Sequence, residues 1–304
     1  MSDPSVVPDL SAFSTQLADA VERAAAWTVT VKARPGPAAS GIAIGPDLVV
    51  TADHVIDPVR ESAIRLRAAD GREIDATLLG RDPLTDLAVL RTAERGLITA
   101  AGAPAEPRVG SIAVAVARPQ QVAASLGLIA GLGGPARTRR GGLLDRFIQV
   151  DVVLYPGFSG GPLIDPSGAV LGMNTSGLAF GGPDIAIPWD QAINVAQLIA
   201  EHGVVRRGYL GIGGQPVALT GAAQALIGGQ DRGLLVVQVV EGGPAARAGL
   251  LQGDIIVRLG GSPVTSADDL QAHLGPSRVG ASIMATVLRG SHLTDCPITV
   301  GQRE

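Results

Sequence analysis

The sequence predicts a mainly β protein in two parts: a run of short strands forming a barrel or sandwich pair, then a smaller unit mixing strands and helices. Three observations lead there. Forty-one glycines and 21 prolines recur between short apolar runs, the punctuation of tight turns more than of a helical bundle. Between Trp27 and Pro188 β-branched segments are separated by turn signals such as Gly45-Pro-Asp47, Asp70-Gly71 and Pro166-Ser-Gly168. With 304 residues, 46% hydrophobic and 17% charged, the chain is long enough for two domains with sizeable cores.

Residues 1–26 form an N-terminal segment whose stretch Leu10 to Ala26 is helical, rich in alanine and free of glycine and proline. Its apolar positions Leu10, Phe13, Leu17 and Val21 fall three and four apart, so one face can be buried. Residues 27–203 follow as a strand-rich domain. Trp27–Val31 opens it, and strands are expected at Gly41–Ile44, Leu48–Thr51, Ala63–Arg67, Ile74–Leu79, Leu87–Arg91, Ile112–Val116, Phe147–Val153 and Val170–Met173. Asp190 to His202 is a helix stopped by Gly203. Residues 204–304 form the second domain. Gly233–Val240 is a buried strand there, and Pro244–Gly249 a short helix with proline near its start and glycine after its end. Ser266, with Asp269 three residues on, caps another helix that Gly275-Pro276 closes.

A net charge of −4 and a pI of about 5.6 give no electrostatic case for nucleic acid or an acidic membrane surface. Arg137, Arg139 and Arg140 cluster in a glycine-rich stretch that is expected to be a solvated loop. Cys296 is the only cysteine; it can form no intrachain disulfide and is expected as a buried small apolar residue. The first eight residues lack a basic n-region and an apolar h-region, so the expected location is cytoplasmic unless an export signal was trimmed. No apolar run reaches membrane-spanning length. His202, His273 and His292 have no nucleophile nearby in sequence, and no set of residues has the spacing of zinc ligands. No cofactor or metal is implied.

Three separated segments carry chemistry. Val49-Val-Thr-Ala-Asp-His54 delivers a histidine from a strand into a turn. Asp82-Pro-Leu-Thr-Asp86 places an aspartate at the mouth of an apolar strand. Tyr155-Pro-Gly-Phe-Ser-Gly-Gly-Pro162 sets Ser159 among glycines. A serine hydroxyl needs a base to take its proton during attack, and histidine can do so and return the proton to a leaving amine. A buried carboxylate fixes the imidazole tautomer and stabilises the imidazolium. Glycines beside the serine let backbone N–H groups converge on a developing oxyanion; Gly157 and Ser159 are the expected donors. Each piece alone is commonplace: a histidine after a strand is usually structural, and Gly-x-Ser-Gly-Gly is often only a turn. All three, each at a strand end and in the chymotrypsin order His…Asp…Ser, make a constellation.

Together these segments resemble the HtrA (Deg) family of trypsin-fold serine proteases. Thr51-Ala-Asp-His54, Asp86-Leu-Ala-Val-Leu90, Phe147-Ile-Gln-Val-Asp151, Gly157-Phe-Ser-Gly-Gly-Pro162, Gly168-Ala-Val-Leu-Gly172 and Ala186-Ile-Pro188 fall in the family's order. The resemblance implies a chymotrypsin/trypsin-like double β-barrel, with His54, Asp86 and Ser159 as catalytic residues between the barrels. It implies a small α+β PDZ domain from residue 204 onward, whose most specific stretch is Gly243-Pro-Ala-Ala-Arg-Ala-Gly-Leu-Leu-Gln-Gly-Asp-Ile-Ile256. There Tyr209, Leu210, Gly211 and Ile212 correspond to the loop that receives a peptide's terminal carboxylate, with Ile212 and Leu270 as pocket residues or plain core. Polypeptide substrates and peptide C-termini are the implied partners, and a homo-oligomer, usually a trimer in the family, the implied assembly. The Leu10–Ala26 helix with Phe13 is a candidate oligomer contact, which a monomeric mass in solution would count against.

Two departures from the family matter. Asparagine usually precedes the family's serine and aspartate that of digestive trypsins, where it pairs with a newly cut N-terminus; here the residue is Phe158. Activation by such a cut is therefore not expected, and the ring is expected to pack into an apolar pocket and order the oxyanion loop. The segment from Val31 to Ser40 is short, so the long regulatory loop of some members is absent, and control would pass through loops such as Gly131–Gly142. The residue six before the serine is Val153. With Asn174 and Thr175 it is expected to line a primary pocket that takes small or medium aliphatic side chains. An ATP-independent endopeptidase acting on unfolded or regulatory proteins is the leading function. A catalytically silent scaffold or chaperone is the alternative, and an esterase lacks the matching nucleophile motif.

Overall fold

The Asp9 carboxylate accepts from the N–H groups of Ser11 and Ala12, which caps helix α1, Leu10–Ala25. The computed structural model describes residues 9–34, 36–56, 64–103, 106–134, 136–137, 143–144, 146–178, 184–203, 205, 208–275 and 278–302. It divides into two units, Met1–Val205 and Arg206–Glu304.

The first unit holds two barrels. One is closed in the order β1 (Thr28–Lys32), β2 (Ala39–Ala43), β3 (Leu48–Ala52), β6 (Leu87–Thr92), β5 (Glu73–Asp82), β4 (Ile64–Arg67). In the second half of the unit lie β7 (Ile112–Ala117), β8 (Ala123–Gly133), a small hairpin of β9 (Ala136–Arg137) with β10 (Leu143–Leu144), β11 (Phe147–Val150), β12 (Pro162–Ile164), β13 (Val170–Thr175) and β14 (Ile185–Pro188). Six of these close the other barrel in the order β11-β14-β13-β12-β7-β8. Closure leaves no open sheet edge. Helix α2, Trp189–His202, packs on β5, β6 and β13 and ends at Gly203.

Helix α1 lies against β1, β7 and β12 by the face the sequence predicts, with Leu17 and Val21 packed on the core and the alanines of that face deepest. Ala20 and Ala24 are fully buried, Leu10 is 76% exposed, and Phe13, Leu17 and Val21 are half-buried. Small side chains let the helix backbone approach the barrel, so the alanines win the contact. Strand β8 escaped the sequence reading because its alanines and glycines have weak strand preference; its pairing with β7 and β11 makes it a strand. Arg139 and Arg140 of the arginine cluster and half of the Gly131–Gly142 loop lie outside the described residues, while Arg137 falls in β9.

The second unit is a sheet in the order β16 (Ile212–Ala218), β17 (Arg232–Val239), β18 (Ile255–Leu259), β20 (Ser282–Arg289), β21 (His292–Thr299), with β19 (Ser262–Pro263) pairing β18. A short ladder joins β15 (Gly208–Tyr209) to β22 (Gly301–Gln302). Helices α3 (Ala222–Leu226), α4 (Pro244–Arg247) and α5 (Ala267–Ala272) complete it. The Ser266–Asp269 capping box forms as the sequence predicts, and Cys296 is buried in this unit's core.

Asp254 is 2% exposed. Its carboxylate accepts from Arg289 Nε at 2.8 Å and Nη2 at 2.7 Å, and from Leu251 N–H at 2.8 Å. The Arg289 guanidinium holds its pKa below the usual aspartate value. A depressed carboxylate contributes stability above its unfolded pKa, near 3.9, and loses it as pH falls through the lower folded value. The full chain is therefore expected to lose this contribution only below about pH 4. Asp254→Asn should flatten the acid limb of a thermal-unfolding profile; an unchanged limb would exclude the linkage.

Candidate active site

The turn after β3 is a single 3-10 turn, Asp53–Val55, which brings His54 to the end of the first barrel. Arg81 of β5 donates through Nε to the buried Asp53 carboxylate and pins that turn. Between β5 and β6, Asp82 folds the Asp-Pro-Leu-Thr segment back on itself by accepting from the N–H groups of Leu84 and Thr85. Asp86 follows with φ of 55°, the one positive value at a non-glycine among the described residues. Aspartate tolerates that conformation better than most residues, and here it aims a fully buried carboxylate at His54.

Asp86 Oδ2 lies 2.8 Å from His54 Nδ1, and Oδ1 accepts the His54 backbone N–H at 2.9 Å. The Thr175 hydroxyl also donates to Oδ2. The Nδ1 contact to a carboxylate fixes the neutral imidazole with its proton on Nδ1 and leaves Nε2 as a base. Gly177 covers the pair from the end of β13. A Cβ there would fall 2.5 Å from His54 Nδ1 and 2.6 Å from Asp86 Oδ2. Gly177→Ala is expected to separate the pair and cut kcat/KM by at least 100-fold, a loss of about 2.7 kcal/mol of transition-state stabilisation. Steady-state hydrolysis by the variant, with its melting temperature as a folding control, checks this.

Residues Tyr155 to Phe158 make a turn closed by Phe158 N–H on Tyr155 O at 3.0 Å. Pro156 and Gly157, φ +95°, occupy its centre, the residue choice of a type II turn. Ser40 of β2 secures the next step. Its hydroxyl donates to Gly157 O at 2.8 Å, and its N–H donates to Ser159 O at 3.2 Å. With both carbonyls held by the other barrel, the N–H groups of Gly157 and Ser159 have no acceptor among the described residues. Phe158 is 1% exposed in the core of the second barrel, in a cluster with Ala113, Ala115 and Ala117. Three alanines on one face of β7 leave room for the ring, whose edge meets Tyr155 with centroids 5.8 Å apart.

His54, Ser159, Gly157 and Ser176 line one cleft of about 290 Å³, with Arg34, Ala38, Leu154 and Tyr155 among its other walls. The Ser159 hydroxyl is hydrogen-bonded to the Ser176 hydroxyl at 3.0 Å and accepts the Ser176 N–H at 3.4 Å. The expected pocket residues are placed differently. Val153 is 54% exposed and absent from the cleft wall, which Leu154 forms instead; alternation along an extended segment turns neighbours to opposite faces. Asn174 is buried and donates to Pro162 O, while Thr175 turns its hydroxyl to Asp86. Neither side chain lines the cleft. Ser40, Ser176 and Gly177 were missed. Their only sequence signal is the Ser-Gly pair 176–177 after a buried strand, which alone has no meaning.

In the second unit, Val240 N–H binds Gly211 O and Ala245 N–H binds Leu210 O, both at 2.8 Å. These bonds turn the carbonyls inward, and the N–H groups of Leu210 and Gly211 have no acceptor among the described residues. Tyr209 and Ile212 are half-buried, Leu210 and Leu270 buried, and Ile212 packs on the cluster that holds both leucines. The side chain of Leu210 is therefore core, and the loop presents backbone. Strand β16 is a sheet edge beside α5, and Pro216 in it cannot donate to a ladder, as edge strands tolerate.

Residues 39–173 match the trypsin-like peptidase domain and residues 208–300 the PDZ domain. The solved structure of the HtrA-type protease AlgW with tripeptide superposes with a TM-score of 0.76 at 32% identity, covering 95% of this chain and 97% of that one. The chain belongs to the HtrA family of serine proteases. This HtrA chain is also 35% identical over 270 residues to the probable periplasmic serine endoprotease DegP-like of Pseudomonas putida, covering 86% of the chain and 55% of that protein. It is 34% identical over 264 residues to the periplasmic serine endoprotease DegP of Escherichia coli, covering 82% and 54%. The HtrA chain thus spans about half the length of these curated relatives. Their names correct the cytoplasmic location expected from the first eight residues: both relatives are periplasmic. Among the described residues no helix is long and apolar enough to cross a membrane.

Proposed function

We propose that this protein is an ATP-independent serine endopeptidase that cleaves unfolded or regulatory polypeptides in the periplasm. His54, Asp86 and Ser159 act as its triad, and the second unit binds peptide C-termini. The observation that carries the reading is the pair of unengaged N–H groups of Gly157 and Ser159 beside Ser159 Oγ and His54. A silent scaffold has no use for two donors left unengaged beside the serine hydroxyl. Phe158, which raised that alternative, is buried away from them.

On this reading Ser159 rotates about χ1 from Ser176 to His54, a change between staggered wells. His54 Nε2 takes the hydroxyl proton as Oγ attacks the scissile carbonyl carbon. The resulting oxyanion sits between the two N–H groups, which are worth more there than in water. Asp86 stabilises the imidazolium, which then protonates the leaving amine. Water repeats the sequence on the acyl-enzyme. At the second unit a peptide adds a strand at β16, with its carboxylate on the N–H groups of Leu210 and Gly211.

Cleavage after small or medium aliphatic residues is the proposed preference, supported by Leu154 in the cleft wall and by the lack of a carboxylate among the cleft's described residues. One observation favours a second reading. Asp184 Oδ2 accepts the Leu154 N–H at 3.4 Å just behind that wall, and no described cation pairs with it. A basic side chain reaching past Leu154 would meet it. Digestion of unfolded casein with mass spectrometry of the products decides. Cleavage after aliphatic residues is expected; dominant cleavage after arginine would overturn that preference and assign Asp184 to the pocket.

A further inference from the structure

We propose that Arg34 selects substrates with a carboxylate side chain within the first three residues after the scissile bond. The inference rests on the protease reading, because it needs a leaving-group side to the cleft. That side is fixed by the geometry of attack. The carbonyl oxygen belongs between the N–H groups of Gly157 and Ser159, and the leaving nitrogen belongs at His54, which protonates it. The chain beyond that nitrogen must run over the part of the cleft next to His54. Its described residues are Pro37, Ala38, Ala39, Val55 and Arg34.

Four of those five are apolar and carry no charge to discriminate one polar substrate from another. Arg34 is exposed at the rim. One guanidinium N–H, on Nη1, donates to the His54 carbonyl at 3.2 Å, which tethers the group beside the general base. Four N–H donors of the five remain for a partner. No described carboxylate forms an ion pair with Arg34, and none lines the cleft. The guanidinium is thus a cation held at the path of the departing chain and left without an anion among the described residues. A glutamate or aspartate in a bound peptide supplies one and can accept a two-pronged bond. Lysine or arginine at the same place is repelled.

The test uses the full chain and three sets of peptides with one aliphatic cleavage site. Each set varies the first, second or third residue after that site among glutamate, glutamine and lysine. The readout is the ratio of kcat/KM for the glutamate and lysine peptides, with the glutamine peptide as reference, so a folding defect cancels. At low salt we expect the glutamate peptide to be favoured about three- to tenfold at one or more of the three positions, as for exposed ion pairs plus the matching repulsion. Arg34→Ala should bring the ratio to near one, Arg34→Glu should invert it, and 0.5 M salt should compress it in the wild type. A wild-type ratio near one in all three sets, or a ratio that neither substitution changes, overturns this proposal and leaves the protease reading intact. No hydrolysis of any peptide, with no labelling of Ser159 by a fluorophosphonate, overturns the protease reading and this proposal with it.

Discussion

Ser159→Ala is expected to abolish hydrolysis of unfolded casein, with kcat falling by roughly a million-fold, the size of loss seen when a serine nucleophile is removed. On the protease reading this hydroxyl forms the acyl bond, because it belongs to the turn that carries the unengaged Gly157 and Ser159 N–H groups, so no neighbour is expected to replace it. The Ser176 hydroxyl lies 3.0 Å from Ser159 Oγ, but it follows β13, outside the turn that carries the Gly157 and Ser159 N–H groups. The fold should survive. Ser159 contributes its backbone to the Ser40 contact at 3.2 Å, and alanine keeps that bond. Circular dichroism and melting temperature of the variant should match the parent. Activity of the variant at the wild-type level would remove Ser159 from the nucleophile's role, and a parent that hydrolyses nothing would move the reading to the scaffold alternative, whatever the geometry of His54 and Asp86.

The second large effect falls on stability first. Phe158 is among the largest fully buried side chains of the chain. Truncating a buried phenylalanine costs about 3–5 kcal/mol through lost transfer energy and the cavity left behind. Phe158→Ala should therefore lower the denaturant midpoint sharply. The same ring holds Tyr155 edge-on, and Tyr155 O closes the turn that positions Gly157. Loss of the ring should loosen that turn and lower kcat beyond what unfolding explains, by about 10- to 100-fold at a temperature where the variant is folded. Phe158→Asn places an amide in the same apolar cluster and should destabilise at least as much, because its polar atoms find no partner there. If Phe158→Asn leaves both activity and stability unchanged, the ring has no role in ordering the oxyanion turn.

Local chemistry carried much of this protein. The residues Gly45-Pro-Asp47 and Pro166-Ser-Gly168 announce turns; Gly203 announces a helix end, and Ser266 with Asp269 a capping box. Each is an interaction within four residues, so it is legible without knowing the fold. The short strands of the first barrel were legible for the same reason, from β-branched runs between turn residues. His54, Asp86 and Ser159 were legible because each carries its own local setting: a turn after a strand, an aspartate-led loop, a glycine-flanked serine.

What the tertiary structure alone decided are the partners that barrel closure brings from far away. Ser40 reaches Gly157 across 117 positions of sequence, and Thr175 reaches Asp86 across 89; no periodicity links them. Gly177 is required by an approach to two side chains from different strands, and Arg34 gains meaning only because the turn holding His54 comes to rest beside it. Val153 shows the converse. Counting back from the serine assigns it to the pocket, but one step of alternation gives that wall to Leu154. The sequence by itself determined the barrel-and-PDZ class and pointed to the candidate reacting groups, because those depend on local pattern. The structure decided which neighbours hold, cover and charge the cleft, because those depend on which distant strands close against one another.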